Sequence, residues 1–247
     1  MSGISDWALI TGAGSGIGAA LACELAAGGI GVALIGRRKD HLSQVRDRIA
    51  GLSPTLVVPA DIARNADRAY LTQEVRTALA DQGGRLKYLV HNAGVGPPSA
   101  GFMDMDPDAL AHAFAVNVTA PLALSQGFMP DLMAAAPARI MLVGAGIADR
   151  PQAGTGIYGI TKKALARLFD QMLTDFAHEG EPGKPDVAMF QPGMVDTEGL
   201  REHVEAARDC ELPHAEYLGT AIAEGTARRP EAVASVLAQA LVDLASP

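Results

Sequence analysis

Apolar positions along the chain follow two alternating rhythms. Short aliphatic or β-branched runs at 7–11 (WALIT), 31–36 (GVALIG), 55–59 (TLVVP), 86–91 (LKYLVH), 139–144 (RIMLVG) and 186–191 (DVAMFQ) predict strands. Between them, longer Ala-rich stretches of helical period predict helices over 16–28, 39–50, 65–82, 106–134, 157–179 and 230–244. Strands alternating with helices build βαβ units, so the fold class is α/β, a doubly wound parallel sheet flanked by helices. Each strand run ends in Gly, Asp, Asn or Pro or runs directly into one, residues that turn the chain or admit a ligand to the backbone, and ligands sit at those ends of such sheets. The stretch 194–228 breaks the rhythm. It is polar, rich in Glu, Ala, Arg and His, and too long for a plain connection, which predicts a partly helical substrate lid.

Composition narrows the picture. A length of 247 residues suits one α/β domain over 1–247, and 49% hydrophobic residues suffice for a core. Aromatics are only 4%, so that core must rest on Ala, Val, Leu and Ile. The net charge of −8 offers no basic surface for phosphate backbones, which argues against nucleic acid as a partner and leaves a small-molecule substrate. Cys23 and Cys210 are too few and too far apart for a disulfide framework or a zinc site. The opening MSGISDWALITG has neither a basic region nor a long apolar one, so neither a signal peptide nor a membrane span is expected and a cytoplasmic location is.

Candidate chemistry begins at the first strand-to-helix turn. TGAGSGIG at 11–18 places Gly12, Ser15, Gly16, Ile17 and Gly18 where backbone N–H groups and a helix N-terminus can meet a pyrophosphate, with a Cβ at the glycines expected to hold the phosphate off. Arg37 and Arg38 follow the second strand, where a dinucleotide fold meets the adenosine ribose. An acid there would accept from a free 2′-hydroxyl, whereas arginine bonds a 2′-phosphate, so the expected cofactor is NADP(H). Asp61, followed by Ile62, ends the third strand and could accept from an adenine amino group. Asn92, Ala93 and Gly94 end the fourth, where small residues let backbone line the nucleotide.

TGAGSGIG, Asp61, NAG at 92–94, Asn117 in VNVTAP, YGITK at 158–162 and PGMVDT at 192–197 together resemble the short-chain dehydrogenase/reductase family over nearly the whole chain. The resemblance implies a single-domain Rossmann-type fold, a nicotinamide cofactor, and a homodimer or homotetramer built on the fourth and fifth helices. The later half, with PGMVDTEGLR and RRPEAVASVLAQAL, is most similar to the sepiapterin reductase and benzil reductase branch, whose members reduce carbonyls with NADPH. Pterin is not expected as substrate, because an acidic tail residue that anchors it in sepiapterin reductase has no counterpart in Ala245-Ser246-Pro247.

Tyr158 and Lys162 stand four apart on one helix face. A phenol titrates near 10, and a nearby ammonium is expected to lower it, fitting Tyr158 as general acid. The resemblance adds that Lys162 holds the nicotinamide ribose, that Asn117 binds a water linking the lysine to solvent, and that Pro192, Gly193, Val195 and Thr197 embrace the carboxamide. Asn117 can equally kink its helix. Asp196 reads as a helix N-cap.

Counting back thirteen residues from Tyr158, where the family carries a catalytic serine, reaches Ala145, whose methyl group cannot donate a hydrogen bond. Three readings follow: a deliberate serine-to-alanine change, a natural enzyme whose substrate needs less help or borrows Thr155 or a water, and an NADPH-binding protein without turnover. Keeping Tyr158, Lys162 and Asn117 together favours catalysis. The substrate pocket is expected around 95–103, 146–153 and the lid, with Phe102, Met103, Ile147, Met194 and Leu200 making it small and largely apolar.

Overall fold

A computed structural model describes residues 5–96 and 101–243. Six strands, β1 (Ser5–Thr11), β2 (Gly31–Gly36), β3 (Thr55–Pro59), β4 (Gly84–His91), β5 (Arg139–Val143) and β6 (Asp186–Phe190), form one parallel sheet in the order β3-β2-β1-β4-β5-β6. The chain winds outward from β1 to β3, returns to the middle, and winds the other way to β6. The reversal lies between β1 and β4, so a crevice opens beyond their carboxyl ends.

The helices are α1 (Gly16–Ala27), α2 (Lys39–Arg48), α3 (Asn65–Gln82), α4 (Pro107–Phe114), α5 (Ala120–Ala134), α6 (Gly156–Glu179), α7 (Glu198–Asp209), α8 (His214–Ala223) and α9 (Pro230–Val242). One sheet face is covered by α1, α2 and α9, with Leu21, Leu25, Leu42, Val45 and Leu237 buried against Ile10, Leu34 and Val90. The other carries α3, α5 and α6, where Leu71, Leu124, Phe128 and Leu165 pack on Leu9, Leu89 and Ile140. With aromatics scarce, a single indole fills the bottom of the sheet. A Cβ at Gly31 or Gly84 would come within 2.5 and 2.4 Å of the Trp7 ring, so those strand starts have room only for glycine.

One expectation changes and another gains detail. The helix predicted over 106–134 is α4 and α5 joined by a π turn at Ala115–Thr119, because the chain widens there around the buried Asn117. The polar stretch 194–228 is a helical hairpin of α7 and α8, its two ends tied by a bridge between Val195 and Arg228. No helix among the described residues is long and apolar enough to cross a membrane.

Candidate active site

The crevice is built by stitching the ends of β1 and β4 together. The buried Thr11 hydroxyl donates to the Val90 carbonyl at 3.2 Å and accepts from the Asn92 and Ala93 N–H groups, each at 3.1 Å. Asn92 Nδ2 donates to the carbonyls of Thr11 and Gly12 at 3.0 and 3.3 Å. This closeness explains the glycines differently from the sequence reading. A Cβ at Gly12 would lie 2.9 Å from Ala93 Cα, and one at Gly18 would lie 2.3 Å from the Gly12 carbonyl oxygen. Both would strike protein atoms, so chain-to-chain packing is what demands glycine there. At Gly16, with φ +53°, a Cβ would press on the Thr197 methyl at 3.1 Å.

A cleft of about 310 Å³ results, within the range of small-molecule sites. Its walls are Gly12, Gly14, Ser15, Gly16 and Ile17; Arg37 and Arg38 after β2; Asp61 and Ile62 after β3; Asn92, Ala93, Gly94 and Val95 after β4; and Thr197, Glu198 and Gly199. Gly18, Pro192, Gly193 and Val195 are not among these walls; Gly18, Pro192 and Val195 are buried, while Gly193 takes φ +72°. The arrangement suits an elongated ligand with an anionic middle: glycine-rich backbone in the centre, two arginines at one end, and the loop after β4 at the other. At the arginine end, Arg38 Nη1 and Nη2 donate to Glu198 Oε1 and Oε2 at 3.2 and 2.9 Å, and Nη2 also reaches Ser15 Oγ at 3.2 Å. The sequence offered no signal for Glu198, which lies 160 residues away. Asp61 Oδ1 accepts from the Ala63 N–H at 3.1 Å, which braces the carboxylate at the cleft edge.

The loop after β4 leads from this cleft to the paired tyrosine and lysine. A Cβ at Gly94 would lie 3.3 Å from Lys162 Nζ and 3.6 Å from Asn117 Oδ1, and a Cβ at Gly96 would lie 3.1 Å from the Tyr158 ring. Glycine at both positions lets the backbone lie flat on the two side chains; the sequence included Gly96 only within the expected pocket stretch 95–103. Lys162 is buried, donates to the Val143 carbonyl at 2.9 Å, and stands 5.6 Å from the Tyr158 ring centroid. Asn117 Oδ1 accepts from the Val95 N–H at 2.9 Å, while Nδ2 donates to the Val95 carbonyl at 2.8 Å and to Thr161 Oγ1 at 2.9 Å. Its amide N–H groups are thus spent on protein, tying the β4 loop to α6. Thr161, fully buried and given no role of its own when YGITK was read from the sequence, is the other half of that tie.

Burial governs the titration of the pair. It pushes the Tyr158 hydroxyl up to about 12 and the Lys162 ammonium down to about 8. The expectation that Lys162 lowers Tyr158 is therefore corrected: at this separation loss of solvation outweighs the ammonium's pull. Tyr158 is a proton-loaded group across the neutral range, which suits donation. A stability consequence follows for Lys162. Between about pH 8 and 10.5 the unfolded chain keeps a proton that the native amine has lost, so stability rises with pH by about 3 kcal/mol from this group. Above about pH 10 Tyr158 opposes this, since the native phenol keeps a proton that the unfolded one releases. Denaturant titrations of wild type and Lys162→Met should show a stability difference that shifts by about that amount in favour of wild type across the window. A difference independent of pH would remove the assignment.

At the end of β5, Ala145 is in extended backbone (φ −155°, ψ 138°) and opens a single 3-10 turn, Gly146–Ala148. This turn packs on α6, with the Ile147 carbonyl 3.4 Å from where a Gly159 Cβ would stand. Thr155, offered by the sequence as a substitute donor, gives its hydroxyl proton to the Gln152 carbonyl at 2.9 Å and is buried, so it has no hydrogen to offer a substrate. Asp196 is not the cap of α7. Thr197 is, its Oγ1 accepting from the Leu200 N–H at 3.2 Å, while Asp196 pairs with Arg201 at 2.7 and 2.8 Å.

The expected pocket is only partly assembled by these side chains. Phe102 and Met103 are 85% and 87% exposed on a 3-10 turn, and it is Met105 that reaches the N-terminus of α6 at Gly156. Met194 and Leu200 are half-buried at the foot of the α7–α8 hairpin. Residues 97–100 of the expected pocket lie outside the described residues. No group of three or more His, Cys, Asp or Glu side chains among the described residues could hold a metal ion.

Comparison with known proteins gives a consistent picture. The family described as short chain dehydrogenase matches residues 6–208. An uncharacterized oxidoreductase of Staphylococcus epidermidis is 27% identical over 190 residues, covering 77% of this chain and 78% of its own. Among solved structures, a 3-ketoacyl-(acyl-carrier-protein) reductase from Brucella melitensis complexed with NADH superimposes with a TM-score of 0.80 at 25% identity, covering 98% of this chain and 93% of its own. A 3-oxoacyl (acyl-carrier-protein) reductase from Agrobacterium tumefaciens C58 with NADP bound gives 0.78 at 27% identity, covering 96% and 87%.

Proposed function

The chain belongs to the short-chain dehydrogenase family of oxidoreductases, and from that premise we propose that it is an NADP(H)-dependent reductase of a small, largely apolar ketone, aldehyde or vicinal diketone. One observation carries the reading: the backbone of Gly94 to Gly96 runs from the wall of the elongated cleft onto Lys162 and the Tyr158 ring. A ligand filling the cleft ends beside the proton donor. When bound, the reduced nicotinamide supplies the hydride. Arg37 and Arg38 hold the 2′-phosphate, and the backbone of Gly12 to Ile17 faces the pyrophosphate with Asp61 and Ile62 along the adenine side. Asn92, Ala93 and Thr197 wall the path of the nucleotide, and the segment carrying Pro192, Gly193 and Val195 leads into that wall. Tyr158 donates a proton to the carbonyl oxygen, Lys162 holds the ribose and supports the developing phenolate, and Asn117 fixes the β4 loop against α6. Ala145 stands where the family's serine would add a second donor. The α7–α8 hairpin closes over the substrate.

The absent hydroxyl favours a second reading, an imine as substrate, since a single proton donor suffices when nitrogen is the acceptor. Following loss of the reduced-cofactor absorbance while diketones, aldehydes and cyclic imines are offered separates these readings. If none consumes NADPH, the chain is a binding protein and the reductase reading falls.

Cofactor choice has its own test. Arg37→Asp replaces a charge-assisted donor with a repelling carboxylate, so NADPH affinity should fall by about 10- to 100-fold with NADH little changed. Equal affinity of wild type for both cofactors would overturn it. Leu122 on α5, and Ile160 and Leu173 on α6, are 39–43% exposed, which supports a homodimer or homotetramer assembled through those helices.

A further inference from the structure

We infer that Glu198 is a cofactor-selectivity residue that works against the 2′-phosphate, by occupying the guanidinium edge of Arg38 that the phosphate requires. The inference rests on the reading of Arg38 as a 2′-phosphate ligand.

The geometry is fork on fork. Both terminal nitrogens of Arg38 donate to the two carboxylate oxygens of Glu198, and Nη2 is shared with Ser15 Oγ. A phosphate needing the same two-point contact finds that edge taken and must displace the carboxylate. Glu198, Arg38 and Ser15 all line the cleft, so the exchange happens inside the cofactor site. The neighbouring Thr197 holds Glu198 there, because its methyl lies against Gly16 and its hydroxyl caps α7.

Exchange is feasible for two reasons. The side chains of Arg38 and Glu198 are 50% and 48% exposed, so water and salt screen the pair and it opens readily. Glu198 also begins α7, where a released carboxylate is stabilised by the N–H groups of the first helical turn. The pair thus resembles an internal competitor: weak enough to yield to a 2′-phosphate, strong enough to lower its apparent affinity. An unphosphorylated ribose makes no demand on that edge and feels no such competition.

Calorimetric titration with 2′,5′-ADP and 5′-AMP isolates the contribution. Glu198→Gln should tighten 2′,5′-ADP by about three- to tenfold at low ionic strength, with the gain shrinking as salt rises, and leave 5′-AMP within about twofold. Combined with Arg38→Gln the gain should vanish. If Arg38→Gln alone weakens 2′,5′-ADP while Glu198→Gln leaves it unchanged, Glu198 does not compete, and if Glu198→Gln weakens it, Glu198 orders Arg38 for the phosphate; either result overturns the inference with the cofactor reading intact. If wild type binds the two nucleotides alike and Arg38→Gln changes neither, the cofactor reading fails and the inference with it. Unchanged 5′-AMP binding reports that each variant is folded.

Discussion

Ala145→Ser should raise the rate of carbonyl reduction by about 10²–10³, the rate that one donor to a developing oxyanion is worth. The backbone at 145 is extended and the residue is half-buried at the carboxyl end of β5, so serine fits without conformational cost. Among the described residues Thr155 is no substitute, because its hydroxyl proton is spent on the Gln152 carbonyl. The gain should appear in kcat, since the bond strengthens as charge moves onto the carbonyl oxygen, with KM nearly constant. Cofactor affinity should not move. A serine variant no faster than wild type toward any carbonyl would mean that another group already stabilises the oxyanion, or that the acceptor is an imine.

The second large effect is a loss. Tyr158→Phe removes the proposed proton donor but keeps the ring on which the Gly96 backbone rests, so the fold and the cleft should persist. Turnover should drop by about 10²–10⁴, the usual contribution of a positioned acid. NADPH titration separates this from damage to the site: affinity within about twofold of wild type, with turnover lost, assigns the effect to proton transfer. Retained turnover would transfer the acid role elsewhere and remove the central element of the mechanism. Because burial keeps this hydroxyl protonated to about pH 12, the starting state is loaded for reduction. Oxidation of an alcohol would need that proton removed first, at greater cost.

The two predictions interact. With serine at 145, the carbonyl oxygen would have two donors on neighbouring walls, and the tyrosine would no longer bear the whole oxyanion. Tyr158→Phe in the serine background should therefore cost less than in wild type, a coupling that a double-mutant cycle reads directly.

Much of the fold was legible because its determinants are local. Alternating aliphatic runs and Ala-rich periodic stretches mark six strands and their helices, with ends within a few residues of those found. Chain order then leaves few ways to wind a parallel sheet with right-handed crossovers. That Gly12, Arg37, Asp61 and Asn92 line one cleft was legible for a related reason: strand ends in this topology meet at one crevice, so residues far apart in the chain converge there. The helix over 106–134 was not read correctly. Periodicity continues through Asn117, and nothing local reveals that its amide is drawn out of register to bond Val95 and Thr161.

Residue types and their order along the chain were enough to specify an α/β sheet, a cleft at the carboxyl ends of its strands, a Tyr158–Lys162 pair and the methyl group at 145, because each depends on local pattern or on topology that local pattern implies. Pairings between side chains distant in sequence had to come from three dimensions. Glu198 meeting Arg38, Thr161 meeting Asn117, Thr155 spent on Gln152, and burial outweighing the ammonium at Tyr158 are of this kind. The physical reason is one of range: hydrogen bonding and desolvation act over a few ångströms of space, and no spacing in the sequence records which groups the folded chain brings that close.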